Sequence, residues 1–256
     1  MRRGVLLGLA VLLLALPPVR WGSDAPAQQQ PVAKGSAPPL ASAPAKQRPA
    51  ATARRSQAAP SLAAQFGKHW ASPDARRVAN WALQSGDNEN KAVVIVDKRD
   101  AKVFVFSPDG KLISATPALL GSAVGDHTVP GIGDRPLSQV RPEERTTPAG
   151  RFVAEPGRNS NGEDIIWVDY DAAVSMHRVR PNVKAERRLQ RLASATSDDN
   201  RISFGCINLP VAFYENVLSP TVHNSGAIVY ILPEVQSAQE LFGLDQPSKQ
   251  AVLAQR

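Results

Sequence analysis

The chain has 256 residues, 43% of them hydrophobic, with a formal net charge of +7 and a pI near 9.9. Arg2, Arg3 and Arg20 against Asp24, with Lys34, Lys46, Arg48, Arg54 and Arg55 unopposed, account for all of that charge. Residues 61–256 are therefore formally neutral, so the pI gives no reason to expect nucleic acid as a partner. A single cysteine excludes an internal disulfide framework.

Residues 1–27 have the pattern of a secretory signal. Arg2 and Arg3 precede an apolar run from Val5 to Leu16, and Ala25-Pro26-Ala27 offers a small-residue cleavage site. The run is shorter than the roughly 17–25 residues a membrane span needs. The expected location is the periplasm or cell envelope. An uncleaved anchor stays open as the second reading. Residues 28–72 are read as a disordered linker rich in Pro, Ala and Gln, which buries too little apolar surface to offset its ordering entropy.

Ser72-Pro73-Asp74 is a helix-start signal, and Val78, Trp81, Ala82 and Leu83 follow at helical spacing. Residues 73–91 are expected to pack on the domain as a lid or buttress. Residues 92–235 form the expected domain, with 236–256 as a tail. Strands are predicted at Ala92–Asp97, Lys102–Ser107, Lys111–Thr116, Arg151–Glu155, Ile165–Tyr170, Ala173–His177 and Gly226–Leu232. Asp109-Gly110 supplies a tight turn between the second and third. Two helical pieces interrupt the strands. Asn182–Ala193 would put Ala185, Leu189, Leu192 and Ala193 on its inner face and Arg187, Arg188 and Arg191 outward. Val211–Leu218 follows Pro210. The fold class expected is mainly β, a sandwich or barrel core with a few short helices.

The chemistry concentrates at Ser203-Phe204-Gly205-Cys206-Ile207-Asn208. A thiolate can attack a carbonyl if a base takes its proton and backbone N–H groups receive the oxyanion. His177 ends a predicted strand and is the candidate base. Each residue also has a bland reading: Cys206 a buried inert thiol, His177 a satisfied core histidine, Gly205 a bulge, Asn208 a helix cap, Ser203 an ordinary strand residue. The four histidines are scattered, with no metal-ligand spacing and no phosphate-binding glycine motif, so neither a metal nor a cofactor is expected.

Together these residues resemble the L,D-transpeptidase catalytic signature of YkuD-type domains, a histidine followed after a spacer by Ser/Thr-His-Gly-Cys-hydrophobic-Asn/Arg. Pro117-Ala118-Leu119-Leu120-Gly121 and Thr147-Pro148-Ala149-Gly150-Arg151-Phe152 are similar to the same domain, so the resemblance covers about 92–233. It implies Cys206 as nucleophile and His177 as base, with Ser203, Gly205 and Asn208 as substrate-binding or oxyanion positions shaping the loop. The implied partners are peptidoglycan stem peptides, and a wall protein where protein attachment is the outcome. Two departures stand out. Phe204 replaces the signature's second histidine, and residues 183–193 lengthen the interval between His177 and Cys206. The same scaffold would also serve an L,D-carboxypeptidase or, without catalysis, a wall-binding module.

Overall fold

Five consecutive apolar residues, Ala92 to Val96, require cover on both faces, and the architecture supplies it. The protein is described here by a computed structural model covering residues 62–245. The expected signal segment, the expected linker up to residue 61 and the expected tail from residue 246 lie outside the described residues.

The chain opens with helix α1 (Pro73–Ser85), whose N-terminus is capped by Ser72 Oγ accepting from the Ala75 N–H at 3.1 Å. A meander follows: β1 (Ala92–Asp97), β2 (Lys102–Phe106) and β3 (Leu112–Pro117), then the short β4 (Leu120–Gly121). After a long loop come β5 (Gly150–Val153), β6 (Glu155–Arg158), β7 (Asp164–Asp169) and β8 (Val174–Arg178). The remaining elements are α2 (Arg188–Leu192), β9 (Arg201–Ser203), β10 (Ile207–Leu209), α3 (Val211–Phe213), α4 (Ser219–Ser225), β11 (Ala227–Ile231) and α5 (Ala238–Phe242).

Two main sheets result. One is ordered β3-β2-β1-β11-β5, with β1 and β11 parallel; the other is ordered β10-β8-β7-β6. Strand periodicity then sorts the side chains. Ala92, Val94 and Val96 face the second sheet and meet Ile166, Val168, Val174, Met176, Ile207 and Leu209 in the inter-sheet core. Val93 and Ile95 point the other way, under Ala75, Val78, Ala79, Ala82 and Leu83 of α1. Each fully buried Val or Ile contributes about 1.5–3 kcal/mol, which is why β1 tolerates an unbroken apolar run. The mainly β core with short helices read from the sequence is the fold observed.

Several local expectations change. Within residues 62–72, assigned to the linker, two side chains are buried, Phe66 and Ala71: Phe66 is 3% exposed and stacks edge-on against Phe104 and Phe106. Residues 236–245, assigned to the tail, carry α5, whose Phe242 sits beside Trp81 and Tyr230. The strand predicted at 151–155 is two strands, because β5 pairs with β11 while β6 pairs with β7, and the chain changes sheets at Ala154. The helix predicted to stop at Leu218 continues to Ser225; a π turn at Tyr214–Leu218 loosens the ladder just ahead of Pro220, which lacks an N–H.

The helix predicted at 182–193 is broken. Arg187 adopts a left-handed conformation (φ 52°), so α2 starts afresh at Arg188 with a different phase. Leu189 is consequently exposed, and Arg188, expected outward, turns inward with 14% of its side chain exposed.

Candidate active site

The outer face of the second sheet carries the reactive groups, and the placement follows from alternation. In β8, Val174 and Met176 enter the core, which turns Ser175 and His177 to the opposite face. In β10, Ile207 and Leu209 enter the core, which turns Asn208, and Cys206 just before the strand, to that same face. The parallel register pairs Ile207 with Met176 and Asn208 with His177. One step back along it, Cys206 lies opposite Ser175, and its Sγ is 3.7 Å from Ser175 Oγ. His177 is the diagonal neighbour. A strand spacing of about 4.8 Å and two rises of about 3.3 Å put its Cα roughly 8 Å from that of Cys206, within reach of the two side chains.

The thiol donates to the Ala173 carbonyl at 3.5 Å, and its described hydrogen bonds do not include His177. Pairs of this kind commonly tighten only when substrate is bound. Ser175, 4% exposed, is not among the residues expected at the site; it is two residues before His177, and strand alternation places it on the same face.

His177 has a defined tautomer. Its Nδ1 is 2.7 Å from the Arg178 carbonyl, which can only accept, so Nδ1 carries the proton and Nε2 keeps its lone pair. Burial pushes the imidazole below its ordinary pKa; the charges of Arg180 and Arg188 add to this, against the Arg178 carbonyl and Glu163. The group is thus neutral at neutral pH. A depressed histidine contributes stability that is present above its ordinary pKa and lost as pH falls through the depressed one. Arg188→Met is expected to move the His177 titration to higher pH, read directly by NMR of the imidazole. An unmoved titration would show that the Arg188 charge does not act there.

Ser203, Gly205 and Asn208 hold the loop. Ser203 Oγ accepts from the Gly205 N–H at 3.1 Å and donates to the Cys206 carbonyl at 2.6 Å. Asn208 Nδ2 donates to that carbonyl at 3.3 Å, and Asn208 Oδ1 accepts from Arg188 Nη1 at 2.5 Å. Ser203 and Asn208 are 3% and 1% exposed, and the Gly205 N–H is already engaged. The described contacts of these three go to the loop and to Arg188. Gly205 has φ +131°, and a Cβ there would meet the Thr146 carbonyl oxygen at 2.8 Å, so only glycine fits. Thr147, fully buried, donates through Oγ1 to the Gly205 carbonyl at 2.8 Å and accepts from the Gly121 N–H at 2.9 Å. This gives the Thr147-Pro148-Ala149-Gly150 turn a physical link to the cysteine loop.

Phe204 lies under the Arg145 guanidinium, 4.1 Å from its ring centroid. Beyond His177 a cleft of about 190 Å³ is bounded by Glu163, Asp164, Arg178, Arg180 and Asn182. The 183–193 insertion reaches the site through Arg188.

No family model matches the chain, and no curated protein matches it. Solved structures do. The catalytic domain of an L,D-transpeptidase from E. faecium is 18% identical over 56% of this chain and 98% of that one, with a TM-score of 0.34. An L,D-transpeptidase from Xylanimonas cellulosilytica is 17% identical over 55% and 60%, with a TM-score of 0.34. The helical cell shape determining protein from Campylobacter jejuni is 14% identical over 64% and 57%, with a TM-score of 0.37. The chain spans less than two thirds of the length of these last two. The overlays are loose at such TM-scores, and what the site can do follows from the residues just described.

Proposed function

We propose that this protein is an exported cysteine acyltransferase of the L,D-transpeptidase type, acting on peptidoglycan stem peptides in the periplasm or cell envelope. The observation that carries the reading is the shared face of β8 and β10, which sets the lone thiol diagonally across from an imidazole whose Nε2 is free.

His177 Nε2 takes the Cys206 proton, and the thiolate attacks the carbonyl at the L-centre of a diamino acid in a tetrapeptide stem. The Gly205 N–H being engaged, the Cys206 N–H is assigned as the oxyanion donor. Collapse breaks the amide C–N bond, and D-Ala leaves with the proton returned by His177. An acceptor amine then attacks the thioester, His177 takes its proton, and the S–C bond breaks as the new amide forms. The acceptor on a neighbouring stem gives a 3→3 cross-link; one on a wall protein gives covalent attachment.

Incubating the protein with a tetrapeptide donor and an amine acceptor tests this by mass spectrometry. The cross-linked mass is expected. A tripeptide alone, with acceptor present, would instead identify an L,D-carboxypeptidase, and an untouched donor would leave a wall-binding module.

A further inference from the structure

Acids match most guanidinium groups around the site. Arg178 pairs with Asp164 and Glu215, Arg180 with Glu163, and Arg188 with Glu186. Arg145 has no carboxylate partner among the described residues. Its Nε and Nη2 share one acceptor, the Val140 carbonyl, at 3.4 and 3.2 Å, and its central carbon lies 4.1 Å from the Phe204 ring centroid. A guanidinium has five N–H donors in a fixed fork, so most of the fork is unused.

The platform sits beside the thiol. Ser203 and Gly205 are buried, while Phe204 and Cys206 both reach solvent. Two extended residues span at most about 7 Å. Thr147, two residues on from Arg145, is hydrogen-bonded to the Gly205 carbonyl, which ties the loop carrying Arg145 to the cysteine loop. Phe204 is 36% exposed, and its ring is partly covered by the cation above it. A guanidinium held on an aromatic face, pre-oriented and short of a counter-ion, suits a carboxylate.

We propose that Arg145, laid on Phe204, is a carboxylate-binding subsite next to Cys206, and that it takes the free α-carboxylate of the residue that leaves the acyl donor. The second half of this rests on the acyl-transfer reading; the first half does not. It also gives Phe204 a role in place of the absent histidine, as the surface that orients the cation.

The test uses the purified chain and its one cysteine. Alkylation by iodoacetate, an anion, is compared with alkylation by iodoacetamide, its neutral analogue, each followed by intact mass. Any change in thiol ionisation affects both reagents alike, so the ratio of rates isolates the attraction for a carboxylate. Arg145→Gln is expected to lower that ratio about 3- to 10-fold, Arg145→Lys less, and Phe204→Leu to lower it partway by freeing the guanidinium. An unchanged ratio in Arg145→Gln and in Phe204→Leu overturns the subsite. A donor ending in a free carboxylate is then compared with its C-terminal amide. Wild type should favour the acid, and Arg145→Gln should lose that preference; a variant that keeps it overturns the assignment to the leaving residue. Were wild type to turn over neither donor, the acyl-transfer reading would fall while the alkylation ratio still decided the subsite.

Discussion

Replacing Cys206 with alanine is expected to leave a folded protein in which acyl transfer has fallen by at least about 10³-fold. The loss is large because no other thiol exists in the chain and Ser175, whose hydroxyl is 3.7 Å from Sγ, is buried on the sheet. The fold survives because Sγ is not part of the apolar core; its contacts are a 3.7 Å approach to Ser175 and a 3.5 Å hydrogen bond to Ala173. Two measurements check the pair of claims. Intact mass after mixing with a tetrapeptide donor should show a thioester adduct on the wild type and none on Cys206→Ala. Thermal melts of the two should lie within a few degrees. Turnover by the variant would remove Cys206 from the mechanism.

Lys98→Met is expected to lower stability by about 3 kcal/mol, or roughly 6–12 °C in Tm. Lys98 is fully buried, and its Nζ donates to the Gly125 carbonyl at 2.6 Å, the Thr147 carbonyl at 2.9 Å and Asp126 Oδ1 at 2.9 Å, with Glu234 at 3.4 Å. Methionine fills the space but strands two buried carboxylates. The figure sits at the low end for a broken buried pair because Asp126 keeps three N–H donors, from Glu234, Val235 and Gln236, and Glu234 keeps Arg201.

The pH dependence of that loss has a definite sign. Burial pushes the Asp126 carboxyl up, but Lys98 and the three N–H groups together pull it down to about 2. A depressed carboxyl stabilises the fold above its ordinary value near 4, and the effect fades as pH falls through about 2. Without Lys98 the carboxyl rises, so acid unfolding should begin at a higher pH. Urea titrations at pH 7 and pH 3 measure both effects. Equal stability of the two proteins at pH 7 would show that the buried cation contributes nothing net.

How far the sequence could be read depends on element length. β1, β2 and β8 each offer five or six residues of pattern and were placed within a residue or so. β9 and β10 have three residues each, too few to show a period, yet they frame the cysteine. The pairing of Cys206 and His177 was suggested by residue type; their relation across the sheet needs the β8–β10 register, which no local pattern carries. The phase of α2 is not legible because Arg187 gives no compositional hint of a left-handed turn, and the inward direction of Arg188 depends on that turn. The packing of Phe66 is not legible because one aromatic residue does not change the character of a polar segment, and its partners Phe104 and Phe106 are far along the chain.

The parallel pairing of Ala92–Val96 with Ala227–Ile231 makes the middle of the first sheet out of the two ends of the domain. A chain emerging in order can form the β1–β2–β3 meander early, but β1 keeps an open edge until β11 exists. β5, which pairs only with β11 in that sheet, waits as well. Closing so long a loop is entropically costly and slow. The thiol and the imidazole both precede β11 in the chain, so they are synthesised before the sheet that backs their own can be completed. Truncation before residue 227 should therefore yield a protease-sensitive chain with no working site, although every residue of that site would be present.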